Sequence, residues 1–173
     1  FSKRENKDTE ADNISQPQPI TLNLEQDKAV NKIIKLIKKN DYITLLLDGI
    51  PGSGKTEVYF KVLQNKFFLD SQILILFPEV SLSNEFVRRI EDRFGFSPEI
   101  WHSKINASQK KNILKRIISG KAKIIVGARS ALFLPYNNLG MIIIDEEHDS
   151  SYKQEEKGIY HARDMSVVKS SIE

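Results

Sequence analysis

Gly49, Gly52, Gly54, Lys55 and Thr56 stand in the spacing G-x-x-x-x-G-K-[ST], a pattern with a specific chemistry. Glycines without a Cβ let the backbone curl until successive N–H groups point inward at phosphate oxygens. A helix starting near Gly54 adds its positive N-terminal end. Lys55 can reach the terminal phosphates, and the Thr56 hydroxyl can enter a magnesium shell. Gly49, Gly52, Ser53, Gly54, Lys55 and Thr56 are therefore the candidate phosphate-binding residues. The plainer alternative is a glycine-rich turn that happens to precede a helix. Four constrained positions between a buried apolar run and a helical pattern favour a nucleoside triphosphate site instead.

A second set of candidates lies about ninety residues downstream, where the apolar run Met141, Ile142, Ile143, Ile144 ends in Asp145, Glu146, Glu147 and His148. Asp145 at the carboxyl end of a strand can hold Mg²⁺ through water, and Glu146 can take a proton from an attacking water. Alone, such a run is as readily a solvated strand exit. In an open α/β sheet ligands bind at the carboxyl ends of strands, so Lys55 and Asp145 can converge there.

The elements that must position these residues follow from periodicity. Asn23 is a helix cap with Gln26 three residues on, and Leu24, Val30, Ile33, Ile34 and Ile37 repeat at helical spacing. Residues 43–47 form an apolar run, interrupted only by Thr44, of the kind expected for a strand buried on both faces. Helical patterns over 56–68, 81–94 and 106–118, the last capped by Asn106 with Gln109, alternate with strand patterns at 73–77, 99–101, 123–126 and 141–144. That alternation predicts an open α/β fold with a mainly parallel sheet and flanking helices. Residues 1–20, with mixed charges, Pro17 and Pro19, read as a disordered linker. The lobe is expected over 21–173, breaking off soon after the acidic strand end.

Composition sets the remaining bounds. The 173 residues are 40% hydrophobic and 28% charged, an ordinary globular balance. Lys and Arg number 26 against 23 Asp and Glu, a formal net charge of +3 that permits an anionic partner without demanding one. There is no cysteine, which excludes disulfides and thiolate zinc sites and suits a reducing compartment. No apolar run approaches the roughly 20 residues a membrane helix needs. The expectation is a cytoplasmic protein without membrane attachment. His102 and His161 have no partners at metal-ligand spacing, and Trp101 reads as core.

Several strings in this chain closely resemble the PriA-type replication-restart helicases of bacteria, a branch of helicase superfamily two. They are DEEHDSSYKQEEKGIYHARD at 145–164, DGIPGSGKTEV at 48–58, GARSALF at 127–133, Pro78-Glu79 with Leu82, and LNLEQDKAV at 22–30. The resemblance implies an α/β, RecA-like P-loop NTPase lobe, the first lobe of an ATP- and Mg²⁺-dependent DNA helicase, with a DEEH box at 145–148. Gln26 would read the adenine edge. Gly52, Gly54, Lys55 and Thr56 would hold phosphates and magnesium, with Asp145 and Glu146 as the metal-binding and water-activating pair. His148 would link nucleotide state to DNA and to a second lobe. Arg129 and Ser130 would touch the DNA backbone. Tyr152, Lys153, Tyr160, His161 and Arg163 would belong to an aromatic-rich, DNA-sensing loop, a composition that also suits single-strand stacking.

The same resemblance implies partners: forked or single-stranded DNA, primosome and replication-restart proteins, and a second helicase lobe carrying an arginine finger. The family's zinc-binding cysteines and N-terminal DNA-binding domains would lie outside this chain. The sequence departs from the family pattern at Ser83, Glu85, Lys104, Ala128 and Ile159, which spares the ATP site and alters the proposed DNA contacts. The full activity implied is movement from the three-prime toward the five-prime end, coupled to ATP hydrolysis in replication restart. Two other readings are the lobe of a different superfamily-two translocase and a non-catalytic module that contacts DNA or primosome proteins.

Overall fold

The computed structural model describes residues 21–39, 42–65, 70–78, 83–154 and 159–172. The proposed linker at 1–20 lies outside them, as do Glu79 and Leu82.

Four parallel strands make the central sheet: β1 (Gln72–Leu76), β2 (Glu99–Trp101), β3 (Ile124–Gly127) and β4 (Leu139–Ile144), in the order β2-β3-β1-β4. Alternate side chains of a strand point to opposite faces, and both faces are covered here. Ile73, Ile75 and Phe77 turn toward one core with Ile124 and Val126. Leu74 and Leu76 turn toward a second core with Ile125. The first is closed by helices α1 (Leu24–Ile37), α2 (Lys55–Leu63) and α3 (Asn84–Phe94), through residues such as Val30, Phe60, Val62, Phe86 and Ile90. The second is closed by α4 (Ala107–Ile118) through Ile113 and Ile117, and takes in Ala162 of α5 (Ala162–Ile172). A two-stranded antiparallel ribbon, β5 (Lys153–Gln154) with β6 (Tyr160–His161), precedes α5.

Local sequence explains the helix starts. Asn23 and Asn106 each accept from the N–H three residues on, while Gln26 and Gln109 each reach back to the cap N–H, so α1 and α4 open with full capping boxes. Ser83 caps α3 through Phe86 N–H, two residues after the start that periodicity suggests. Helix α2, which leads out of the glycine-rich loop, is clamped to α3: Glu57 accepts from Arg89 at 2.8 Å and from Arg93 at 2.9 Å. The Arg89 guanidinium also sits 5.6 Å from the centre of the buried Phe60 ring, within cation–π range.

One expected strand is absent. Residues 43–47 join no ladder; Ile43, Leu45 and Leu46 are exposed, Leu46 by 79%, and only Leu47 packs onto the first core. A strand exists through a partner's N–H and C=O groups as much as through its own side chains. Among the described residues nothing pairs with 43–47, and β4 is hydrogen-bonded to β1 alone.

Candidate nucleotide site and the loop behind it

The glycine-rich loop turns tightly at residues 51–53 and feeds the first turn of α2. Gly52 and Gly54 have φ of 77° and 79°, a left-handed backbone that residues with a Cβ adopt only at a cost. A Cβ on Gly54 would collide with Gln26 Nε2, and one on Gly49 would come within 2.7 Å of Ser53 Oγ. The turn is closed by Ser53 N–H donating to Ile50 O at 3.1 Å. Lys55 folds back over it, its Nζ donating to Gly49 O at 2.6 Å and Ile50 O at 3.3 Å. This ammonium therefore holds the loop closed with bonds that an anion can replace.

Gln26 is brought to the same loop. Its Nε2 donates to Ser53 O at 2.9 Å, while its Oε1 accepts from Asn23 N–H at 2.9 Å. Both ends of the amide expected to read an adenine edge are thus held by protein, and Gln26 couples the start of α1 to the loop.

Asp145 stands where β4 ends, its N–H continuing the ladder onto Leu76 O at 3.0 Å. Its carboxylate accepts from Glu146 N–H at 3.0 Å on Oδ1 and from the Tyr59 hydroxyl at 3.1 Å on Oδ2. Tyr59 lies on α2 one turn after Thr56, whose side chain also meets its hydroxyl. Burial, then the Asp145 charge, push the Tyr59 phenol well above its ordinary pKa, so it stays a donor. Residues 55–59 and 145–146 are thereby tied together across the sheet. Sequence reading missed Tyr59; the signal was its i+3 spacing from Thr56, which puts both on one helix face.

Glu146 has φ of 49°, the one non-glycine left-handed residue among those described. Backbone strain of this kind concentrates where a side chain must be aimed. Its Oε2 lies 3.5 Å from His148 Nε2, and both side chains are open to solvent. Glu147 is engaged elsewhere, accepting from Arg163 at 3.2 Å, with Asp164 accepting from the same guanidinium at 3.1 Å.

The segment after the acids is built inward. Tyr152 is 1% exposed and sits in the second core, its hydroxyl 2.7 Å from Asp145 O and 2.9 Å from Leu76 O. Its ring therefore offers no face to solvent, and of the residues expected in a DNA-sensing loop Tyr152 is the one packed inside the domain. The physical reason is packing: a buried ring with its hydroxyl satisfied is more favourable than one left in water. Arg129 also turns inward, donating to Ser151 O at 3.0 Å and Lys153 O at 2.5 Å. Ser130 is exposed on the short 3-10 turn Arg129–Phe133. Lys153 faces His161 across the β5–β6 ribbon, and the half-buried Tyr160 meets Phe133 edge-on with centroids 5.3 Å apart. Phe77, Ala128, Arg129, Ser151 and Tyr152 line a recess of about 250 Å³.

Mg²⁺ fits these donors. Thr56 and Asp145 offer hard oxygens, and a carboxylate with two hydrogen bonds keeps further lone pairs. Among the described residues no group of three or more His, Cys, Asp and Glu could hold a metal by itself. Magnesium is commonly held by few protein oxygens together with substrate phosphates. No described helix is long and apolar enough to cross a membrane.

Comparison with known proteins agrees with this construction. The profile of the DEAD/DEAH box helicases matches residues 23–171. Replication restart protein PriA of Rickettsia typhi is 51% identical over 124 residues, covering 72% of this chain and 19% of that protein. The PriA of Bacillus subtilis is 39% identical over 150 residues, 87% of this chain and 19% of its own length. That of Haemophilus influenzae is 41% identical over 149 residues, 86% and 20%. The chain thus spans about a fifth of the relatives it matches. With a mainly parallel sheet, a glycine-rich loop ahead of α2 and an acidic end to β4, the chain belongs to the DEAD/DEAH box helicase family, and its curated relatives are replication restart proteins.

Proposed function

We propose that this chain is the ATP-binding first lobe of a three-prime to five-prime DNA helicase that acts in replication restart and primosome assembly. The observation that carries the reading is the Tyr59–Asp145 hydrogen bond. It joins the helix that follows Lys55 and Thr56 to the strand end that carries Asp145 and Glu146, so the two halves of a phosphoryl-transfer site share one support.

In this reading Lys55 gives up the Gly49 and Ile50 carbonyls for phosphate oxygens, and the N–H groups of residues 52–56 face the same anion. Thr56 and Asp145 would hold Mg²⁺. Bound with the nucleotide, the metal supplies charge neutralisation at the bond that breaks. Glu146, aimed by its left-handed backbone, takes the proton of the attacking water. Gln26 releases Ser53 O when its amide turns to the base. Arg129, the 150–153 segment and the β5–β6 ribbon carry the nucleotide state to DNA, with His148, Ser130, Lys153 and Arg163 exposed and Tyr160 and His161 half-buried beside them. A second lobe completes the cleft with an arginine, worth about 10³–10⁵ in rate in enzymes of this chemistry.

The test is DNA-stimulated ATP hydrolysis by the complete two-lobed protein, with and without Glu146→Gln. Turnover should fall by about 10²-fold or more, on the scale of general-base loss. Stimulation that survives the substitution removes Glu146 from the role of base.

A further inference from the structure

The charge of this chain is unevenly distributed. Between Ile100 and Ile144 there are eight Lys or Arg and no Asp or Glu, so the other residues hold 18 cations against 23 acids. The basic stretch centres on α4. Lys111 and Lys115 stand four residues apart on its exposed side, flanked by exposed Lys104 before its start and Lys121 after its end. Among the described residues none of these four lysines pairs with an acid, and only Arg116 does, with Glu99. The first turn of α4 has no acidic residue, although those of α1, α2 and α3 all do. The positive end of its dipole is therefore added to the lysines. Like charges four apart on a helix repel, so this face is built against its own stability unless an anion meets it.

We propose that the outer face of α4 docks the phosphate backbone of duplex nucleic acid, apart from the nucleotide site. The proposal rests on the helicase reading for its class of partner and adds the surface that meets it. The lysines run along a helix about 18 Å long at 1.5 Å per residue, beside a duplex with one charge per about 1.7 Å. A single-strand site would need aromatic platforms between the cations, and the exposed side of α4 has none; Trp101 nearby is half-buried in the second core. A protein partner would look for a cluster of apolar anchors, whereas Ile118 is the one large apolar side chain exposed on this helix. Because α4 covers the second core and α2 the first, a duplex lying on α4 leaves the phosphate loop open.

The experiment is fluorescence anisotropy of a labelled duplex of about 20 base pairs, titrated with the chain at several salt concentrations. Lys111→Glu/Lys115→Glu is compared with Lys28→Glu/Lys32→Glu, an exposed i,i+4 lysine pair on α1 with the same change in charge. The α4 variant should bind about tenfold or more weakly and lower the slope of log affinity against log salt by about two. The α1 variant should change affinity by no more than about threefold. Equal losses in the two variants, an unchanged salt slope, or no duplex binding by the unaltered chain each overturn the proposal. Stabilisation by Mg·ATP is measured on the same proteins. Its retention in the α4 variant shows an intact fold. Its absence from the unaltered chain, with duplex discrimination preserved, overturns the nucleotide reading and leaves the docking surface standing.

Discussion

The hydroxyl of Tyr152 lies 2.7 Å from the backbone carbonyl of Asp145 and is buried beneath it. The same hydroxyl is 2.9 Å from Leu76 O, so one side chain pins the carboxyl ends of two neighbouring strands. It also anchors the segment through which Arg129 reaches the Ser151 and Lys153 carbonyls. Any movement of that segment is mechanically linked to the backbone that aims Asp145.

Tyr152→Phe keeps the ring and removes the donor. Leu76 O keeps the Asp145 N–H, while the part-buried Asp145 O loses the hydroxyl, at a cost of about 1–3 kcal/mol. Urea denaturation should show a lower midpoint with an unchanged slope. An unchanged midpoint would mean that the hydroxyl contributes nothing to the join between β1 and β4.

Tyr59→Phe addresses the other side of the site. If Asp145 holds Mg²⁺ in the orientation Tyr59 gives it, the variant should bind Mg·ATP about ten- to a hundredfold more weakly, the loss of one hydrogen bond to a charged group. ATP binding in the presence of a chelator should not change. Equal weakening with and without the metal would assign Tyr59 a purely structural role.

The glycine-rich turn at 49–54 and the helix that follows it are legible in the sequence because they are local: the glycines, Lys55 and the helix are contiguous. The capping boxes at Asn23 and Asn106 are legible for the same reason. Residues 43–47 are not, since a strand needs an edge to pair with and the apolar run says nothing about where that edge is. The two tyrosines show the same boundary. Tyr152 reads as one aromatic of a charged segment, with nothing local to show that the second core takes its ring. Tyr59 reads as one more apolar position of α2, yet its hydroxyl meets a carboxylate 86 residues away in the chain. Gln72, fully buried in an apolar strand, is explained only by the Ile117 and Ala122 carbonyls that accept from it and the Asn137 and Asn138 N–H groups that donate to it.

Glu146 supplies a test of stored strain. In its left-handed conformation, Glu146→Gly should be more stable than Glu146→Ala by about 1 kcal/mol, the reverse of their order in an ordinary helix or strand. Thermal unfolding of the two variants decides it, and the ordinary order would mean that the backbone relaxes freely at this position.

Asp149 has a pH signature. The hydroxyl and N–H of Ser151 stabilise its carboxylate and hold its pKa below the usual aspartate value. The folded pKa is depressed, so the turn gains stability above the unfolded pKa of about 3.9 and loses it as pH falls through the lower folded value. The Ser151 amide resonance should therefore titrate with a midpoint below that of Asp149 in a short peptide. A midpoint equal to the peptide's would mean that the contact is not kept in solution.

The central claim is that residues 49–56 form a working phosphate loop, and thermal unfolding with and without Mg·ATP tests it most directly. A ligand that binds only the folded chain adds about 2.7 kcal/mol of stability at a hundred times its dissociation constant. The unaltered chain should melt higher with Mg·ATP, and Lys55→Ala, which removes the ammonium now resting on Gly49 and Ile50, should lose that rise. A cooperative melt that Mg·ATP does not move, or a rise of the same size in Lys55→Ala, would contradict the account.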